Sequence, residues 1–82
     1  MSNYVMFIVS ENTTTCLRGH ECANVNEFLD EIKEENWGKV VREICGQTQT
    51  AITNGEWSEQ MKCCSIDVIV EDTKFGVHIA EY

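Results

Sequence analysis

Over 82 residues the chain carries fourteen acidic side chains against six basic ones, a net charge of −8, with 43% apolar residues. A chain this short is expected to fold as one domain, residues 1–82, with a thin core, because it buries only about 60 to 65% of the surface its unfolded form exposes. The charge disfavours direct binding to nucleic acid and to anionic membrane, since both rest on neutralising phosphate with Lys and Arg.

Tyr4–Val9 is rich in β-branched and aromatic residues, and the polar cluster Ser10-Glu11-Asn12 follows it. This reads as a strand and a turn, with residues 13–18 as the returning strand of an antiparallel hairpin. Gly19 to Ala23 is a loop. Asn24 then stands three residues before Glu27, a variant of the capping box, and predicts a helix over residues 25–35. Val25, Phe28, Leu29 and Ile32 fall on one side of that helix. Asn36-Trp37-Gly38 interrupts the pattern.

Residues 39–45 are ambiguous. Trp37, Val40, Val41 and Ile44 have helical spacing, but Val and Ile favour a strand, and a strand is the expectation here. Asn54-Gly55 reads as a type I′ turn, with residues 48–53 and 56–61 as its arms. A last hairpin is expected around Asp72-Thr73, because Ile66, Val68 and Val70 on one arm and Phe75, Val77 and Ile79 on the other alternate with mostly polar neighbours. The expected architecture is α+β: a small antiparallel sheet with one main helix, about residues 25–35, packed on one face.

The five cysteines, Cys16, Cys22, Cys45, Cys63 and Cys64, cannot all pair within one chain. No positive charge precedes the short run at Tyr4, and no stretch is long enough to span a bilayer, so a reducing cytoplasm is the expected compartment. Cys16, His20 and Cys22 with Cys63 or Cys64 are a conceivable zinc set. Their spacing fits known knuckles poorly, and adjacent Cys63 and Cys64 on a strand point to opposite faces, so no metal and no cofactor are expected. Cys16 as a thiol with His20 or His78 as its base lacks any local catalytic motif, which makes a non-enzymatic protein the expectation. Trp37 and Trp57 are expected in the core, where a small sheet needs large side chains.

The segment with the best claim to function is the predicted helix. At 100° per residue Glu27, Asp30, Glu31, Glu34 and Glu35 share an arc of roughly 140°, opposite the apolar stripe. Five like-charge neighbour pairs cost about 1 to 2.5 kcal/mol before screening, and Lys33 lies off the face, neutralising little. A helix built for stability alone would carry lysines there.

In size, acidity and lack of a catalytic motif the chain is similar to phage-encoded inhibitors of host defence, such as anti-CRISPR and anti-restriction DNA mimics. That resemblance implies an inhibitor, acting in the host cytoplasm, that docks its acidic face on the basic surface of a nucleic-acid-binding host protein. The alternatives from other classes are a self-associating assembly protein using exposed sheet edges and a small zinc-binding adaptor.

Overall fold

The computed structural model describes residues 1–19, 21–35 and 37–82, so His20 and Asn36 lie outside the described residues. The chain runs β1 (Tyr4–Val9), β2 (Thr14–Arg18), α1 (Val25–Glu34), α2 (Lys39–Thr53), β3 (Cys63–Val70) and β4 (Thr73–Glu81). All strand pairs are antiparallel and the sheet order is β2-β1-β4-β3, which sets the first and last strands side by side in the middle. This is an α+β fold, as the alternating strand patterns and the capped helix lead one to expect.

Period-2 alternation splits the sheet cleanly. Tyr4, Met6, Ile8, Leu17, Cys64, Val68, Val70, Val77 and Ile79 are buried on the inner face, beneath Phe28, Leu29 and Ile32 of α1 and Ile44 and Cys45 of α2. Both helices serve this one core. The ring of Tyr4 stacks on Phe28 with centroids 5.6 Å apart and leans on Trp57 at 6.1 Å. At the start of α1 the Asn24 side chain accepts a hydrogen bond from the Glu27 backbone N–H at 2.9 Å, the cap its sequence announced.

Residues 39–53 form a helix and not strands, which corrects the expected strand at 39–45 and the expected hairpin arms at 48–53 and 56–61. Over this longer window Val40, Val41, Ile44, Cys45, Thr48, Ala51 and Ile52 fall within about 140° of one another, a continuous helical stripe. Packing that stripe on the sheet overrides the β preference of its residues. The threonines accommodate themselves: the hydroxyls of Thr48, Thr50 and Thr53 donate to the carbonyls of Ile44, Gly46 and Gln49, so even fully buried Thr48 is satisfied.

Asn54-Gly55 terminates α2 instead of turning a hairpin. Gly55, at φ 100°, lets its own N–H reach the Ile52 carbonyl at 3.0 Å while the Glu56 N–H reaches that of Ala51 at 3.1 Å. Those two bonds are the Schellman stop, which needs one residue with positive φ where the I′ turn needs two. The two-residue I′ turn lies at Glu71-Asp72, whose φ values are 51° and 63°, closing the pair Val70 and Thr73.

Candidate functional site

The carboxylates of α1 do not form a uniform patch. Helical rotation places Glu27 and Glu34 on the crest, seven residues and about 10.5 Å apart along the axis, with Asp30 and Glu31 on opposite flanks. Both crest residues are exposed.

On the flank toward α2, Asp30 accepts a hydrogen bond from Gln49 Nε2 at 2.8 Å and pairs with Lys33 at 3.6 Å. Lys33, off the acidic arc toward its border, thus reaches the nearest carboxylate, and an ion pair this exposed contributes little to stability. Gln49 is a clasp between the helices, since its Oε1 also accepts from Lys33 Nζ at 2.9 Å.

On the other flank, half-buried Glu31 accepts from the Cys22 thiol at 3.3 Å. Burial, with the hydrogen bond and charge of Glu31 adding to it, pushes that thiol up to about 11, so Cys22 stays protonated beside its carboxylate. Glu35 has left the helix: as its C-cap it adopts extended backbone, and its carboxylate accepts from Trp37 Nε1 at 2.5 Å.

Trp37 is 47% exposed, which corrects its expected place in the core, whereas Trp57 packs against the core as expected. An indole thus stands at the C-terminal end of the acidic helix, tied to one of its carboxylates. Sequence reasoning missed it because a tryptophan between polar residues looks the same at a core rim and at a binding surface. The signal was its place one turn beyond Ile32, where the apolar face ends.

The cysteines do not converge. Cys16 and Cys63 lie on the outer parity of the sheet, Cys22 is buried against Glu31, Cys64 is buried in the inner face and Cys45 lies within the core. Among the described residues no three His, Cys, Asp or Glu side chains gather as a metal site. His20, a member of the conceivable zinc set, lies outside the described residues.

One pair with catalytic residue types does meet. Ser65 and His78 face each other across β3 and β4, with Oγ and Nδ1 2.5 Å apart. Asp67 is nearby on the same face but pairs with Lys74 at 3.6 Å, not with the imidazole.

A cleft of about 710 Å³ opens between the start of α1, the end of α2 and Trp57, with Tyr4 at its base. There Glu81 accepts from Ser2 Oγ at 2.9 Å and from the Tyr4 hydroxyl at 3.3 Å, a network internal to the fold. Among the described residues no helix is long and apolar enough to cross a membrane. Comparison with known proteins finds no matching family model, no matching curated protein and no matching solved structure.

Proposed function

We propose that this chain is a non-enzymatic binding protein that docks α1 on the basic surface of a nucleic-acid-binding protein and inhibits it by standing where phosphates would lie. The observation that carries this reading is the charge density of the helix. Glu27, Asp30, Glu31 and Glu34 place one carboxylate per about 3.5 Å of axis, against one phosphate per about 3.4 Å of duplex axis on each strand. A groove that follows one strand of a duplex meets a similar charge per length of axis.

Trp37 supports the same reading. An arginine that pairs with Glu34 or Glu35 can lay its guanidinium on the exposed indole, and desolvated cation–π contacts of that kind contribute about 2 kcal/mol. Tryptophan is also enriched among the few residues that dominate binding energy. The acidic crest steers the encounter and the indole anchors it.

The test is affinity capture from nuclease-treated lysate at low salt, followed by a salt series and competition with nucleic acid. The expected captured protein is basic, dissociates steeply as salt rises, and is displaced by DNA or RNA. A partner held equally well by a variant with Glu27, Glu31, Glu34 and Glu35 changed to Gln and Asp30 to Asn would overturn the proposal.

A further inference from the structure

The helices cover one face of the sheet, and the other is open. Its rows across β2, β1, β4 and β3 read Arg18, Val5, Ala80, Cys63; then Cys16, Phe7, His78, Ser65; then Thr14, Val9, Gly76, Asp67, with Lys74 beside Ile69 below them. This face departs from the rest of the molecule in charge. Among the strand residues of this face only Asp67 is a carboxylate, and it is paired with Lys74, while Arg18 adds a second base. In a chain of net charge −8 it is the surface on which two copies can meet without bringing carboxylates together.

Its relief is self-complementary. The β1 column, Val5, Phe7 and Val9, is a ridge of large apolar side chains, and Val9 is 44% exposed. The adjacent β4 column carries Ala80, His78 and Gly76, and around Gly76 lies a shallow groove of about 460 Å³ bounded by Val9, Ser65, Asp67 and His78. A two-fold axis parallel to the strands and between these columns sets Val9 of each copy over Gly76 of the other and Val5 over Ala80, with Phe7 against His78, an isologous contact.

Gly76 is the independent sign. Mid-strand glycine weakens a sheet, and within this chain nothing requires it: a Cβ there would meet only Asp67 Oδ1 at 3.8 Å and the Val9 carbonyl at 3.9 Å, ordinary contacts. A glycine in a strand interior often stands where a ligand or another backbone approaches closely.

We infer that the open sheet face is the interface of a homodimer, with the Val5-Phe7-Val9 ridge of one copy seated over Gly76 and Ala80 of the other. Four strands of about six residues span about 19 by 20 Å, which side-chain relief raises to roughly 600 to 800 Å² per copy, close to the about 800 Å² per partner of a standard interface. The edges are less suited to self-association. Gln47 Nε2 donates to the Ile69 carbonyl at 2.9 Å and the Ser58 N–H to the Cys63 carbonyl at 2.9 Å, which engages β3 at both ends, and β2 has only five residues.

Sedimentation of the intact chain under reducing conditions, at concentrations up to about 100 µM, tests this. The expected result is a dimer of 9.4 kDa chains that tightens as salt rises, because screening relieves repulsion between two acidic copies. Salt has the opposite sign on capture by the acidic helix, so the two surfaces are separable. Gly76→Val fills the groove at a position where a Cβ meets only ordinary contacts, and is expected to weaken dimerisation at least about tenfold while the monomer stays folded. Val9→Lys, at an exposed position, is expected to do the same. A chain monomeric throughout overturns the inference and leaves the face to a partner of another sequence, and a dimer that neither variant weakens overturns it equally.

Discussion

Gly19 lies against the ring of Phe28, where a Cβ on the glycine would overlap Cδ1 and stand 2.6 Å from Cε1. Phe28 is fully buried between Tyr4 and the other residues of α1, so its ring has nowhere to retreat. The bare backbone of the segment leading into α1 is what lets the helix approach the sheet. Gly19→Ala is expected to cost about 1 to 3 kcal/mol through overpacking, read as a lower urea midpoint. A midpoint equal to that of the unmodified chain would show that the helix can shift to accept the methyl group.

The β3–β4 turn opens on a residue unsuited to it, Glu71. Glu71 and Asp72 both hold positive φ, and they place two carboxylates side by side. Exchanging them for Asn-Gly keeps the I′ geometry and relieves both strain and repulsion, so the double variant is expected to gain about 1 kcal/mol. Thermal unfolding measures this, and a loss of stability would mean that the turn is held by contacts of the native side chains.

Buried thiols make the stability of the fold sensitive to alkali. Burial pushes the Cys45 thiol from an ordinary value of 9.0 up to about 11, with Cys22 moved to a similar value and Cys64 in the same direction. Between about pH 9 and pH 11 the unfolded chain releases protons that the folded chain keeps, so the folded state binds more protons and stability falls as pH rises. The contribution is fully present below about pH 9 and lost through about pH 11. Denaturant midpoints taken across that window are expected to decline steadily, and Cys45→Ala is expected to flatten the decline whatever it costs at neutral pH.

The crest of α1 separates binding from folding. Glu27 and Glu34 have no side-chain partner among the described residues, so Glu27→Gln with Glu34→Gln is expected to leave stability within about 0.5 kcal/mol of the original. Affinity for the captured partner is expected to fall about tenfold, with a shallower salt dependence. Trp37→Ala is expected to weaken binding with little change in the salt slope, since it removes contact area and not charge. Isothermal titration at two salt concentrations distinguishes the two kinds of loss.

Much of this protein was legible before any coordinates. β-branched and aromatic content identified β1 and alternation the last two strands, Asn24 and Glu27 marked where α1 begins, and Val25, Phe28, Leu29 and Ile32 marked the side it buries, because these signals are local and agree with one another. The acidic face opposite them was equally plain.

What escaped was whatever a short window reads two ways. Val40, Val41 and Ile44 look like a strand until Thr48, Ala51 and Ile52 extend their stripe by two further turns. Asn-Gly serves a helix stop and a hairpin alike, and the carbonyls waiting beside Gly55 decide between them. Moving the final turn from Asp72-Thr73 to Glu71-Asp72 shifts the cross-strand partner of His78 from Asp67 to Ser65, so one residue of turn placement changes which side chains meet. Composition and periodicity determined the kinds of element and the side each one buries, since those depend on neighbours along the chain. Only the tertiary structure decided that Asp30 and Glu31 are engaged while Glu27 and Glu34 stand clear, and that one sheet face is left open with almost no acid on it, because those outcomes depend on Gln49, Cys22 and strand register brought together from distant parts of the sequence.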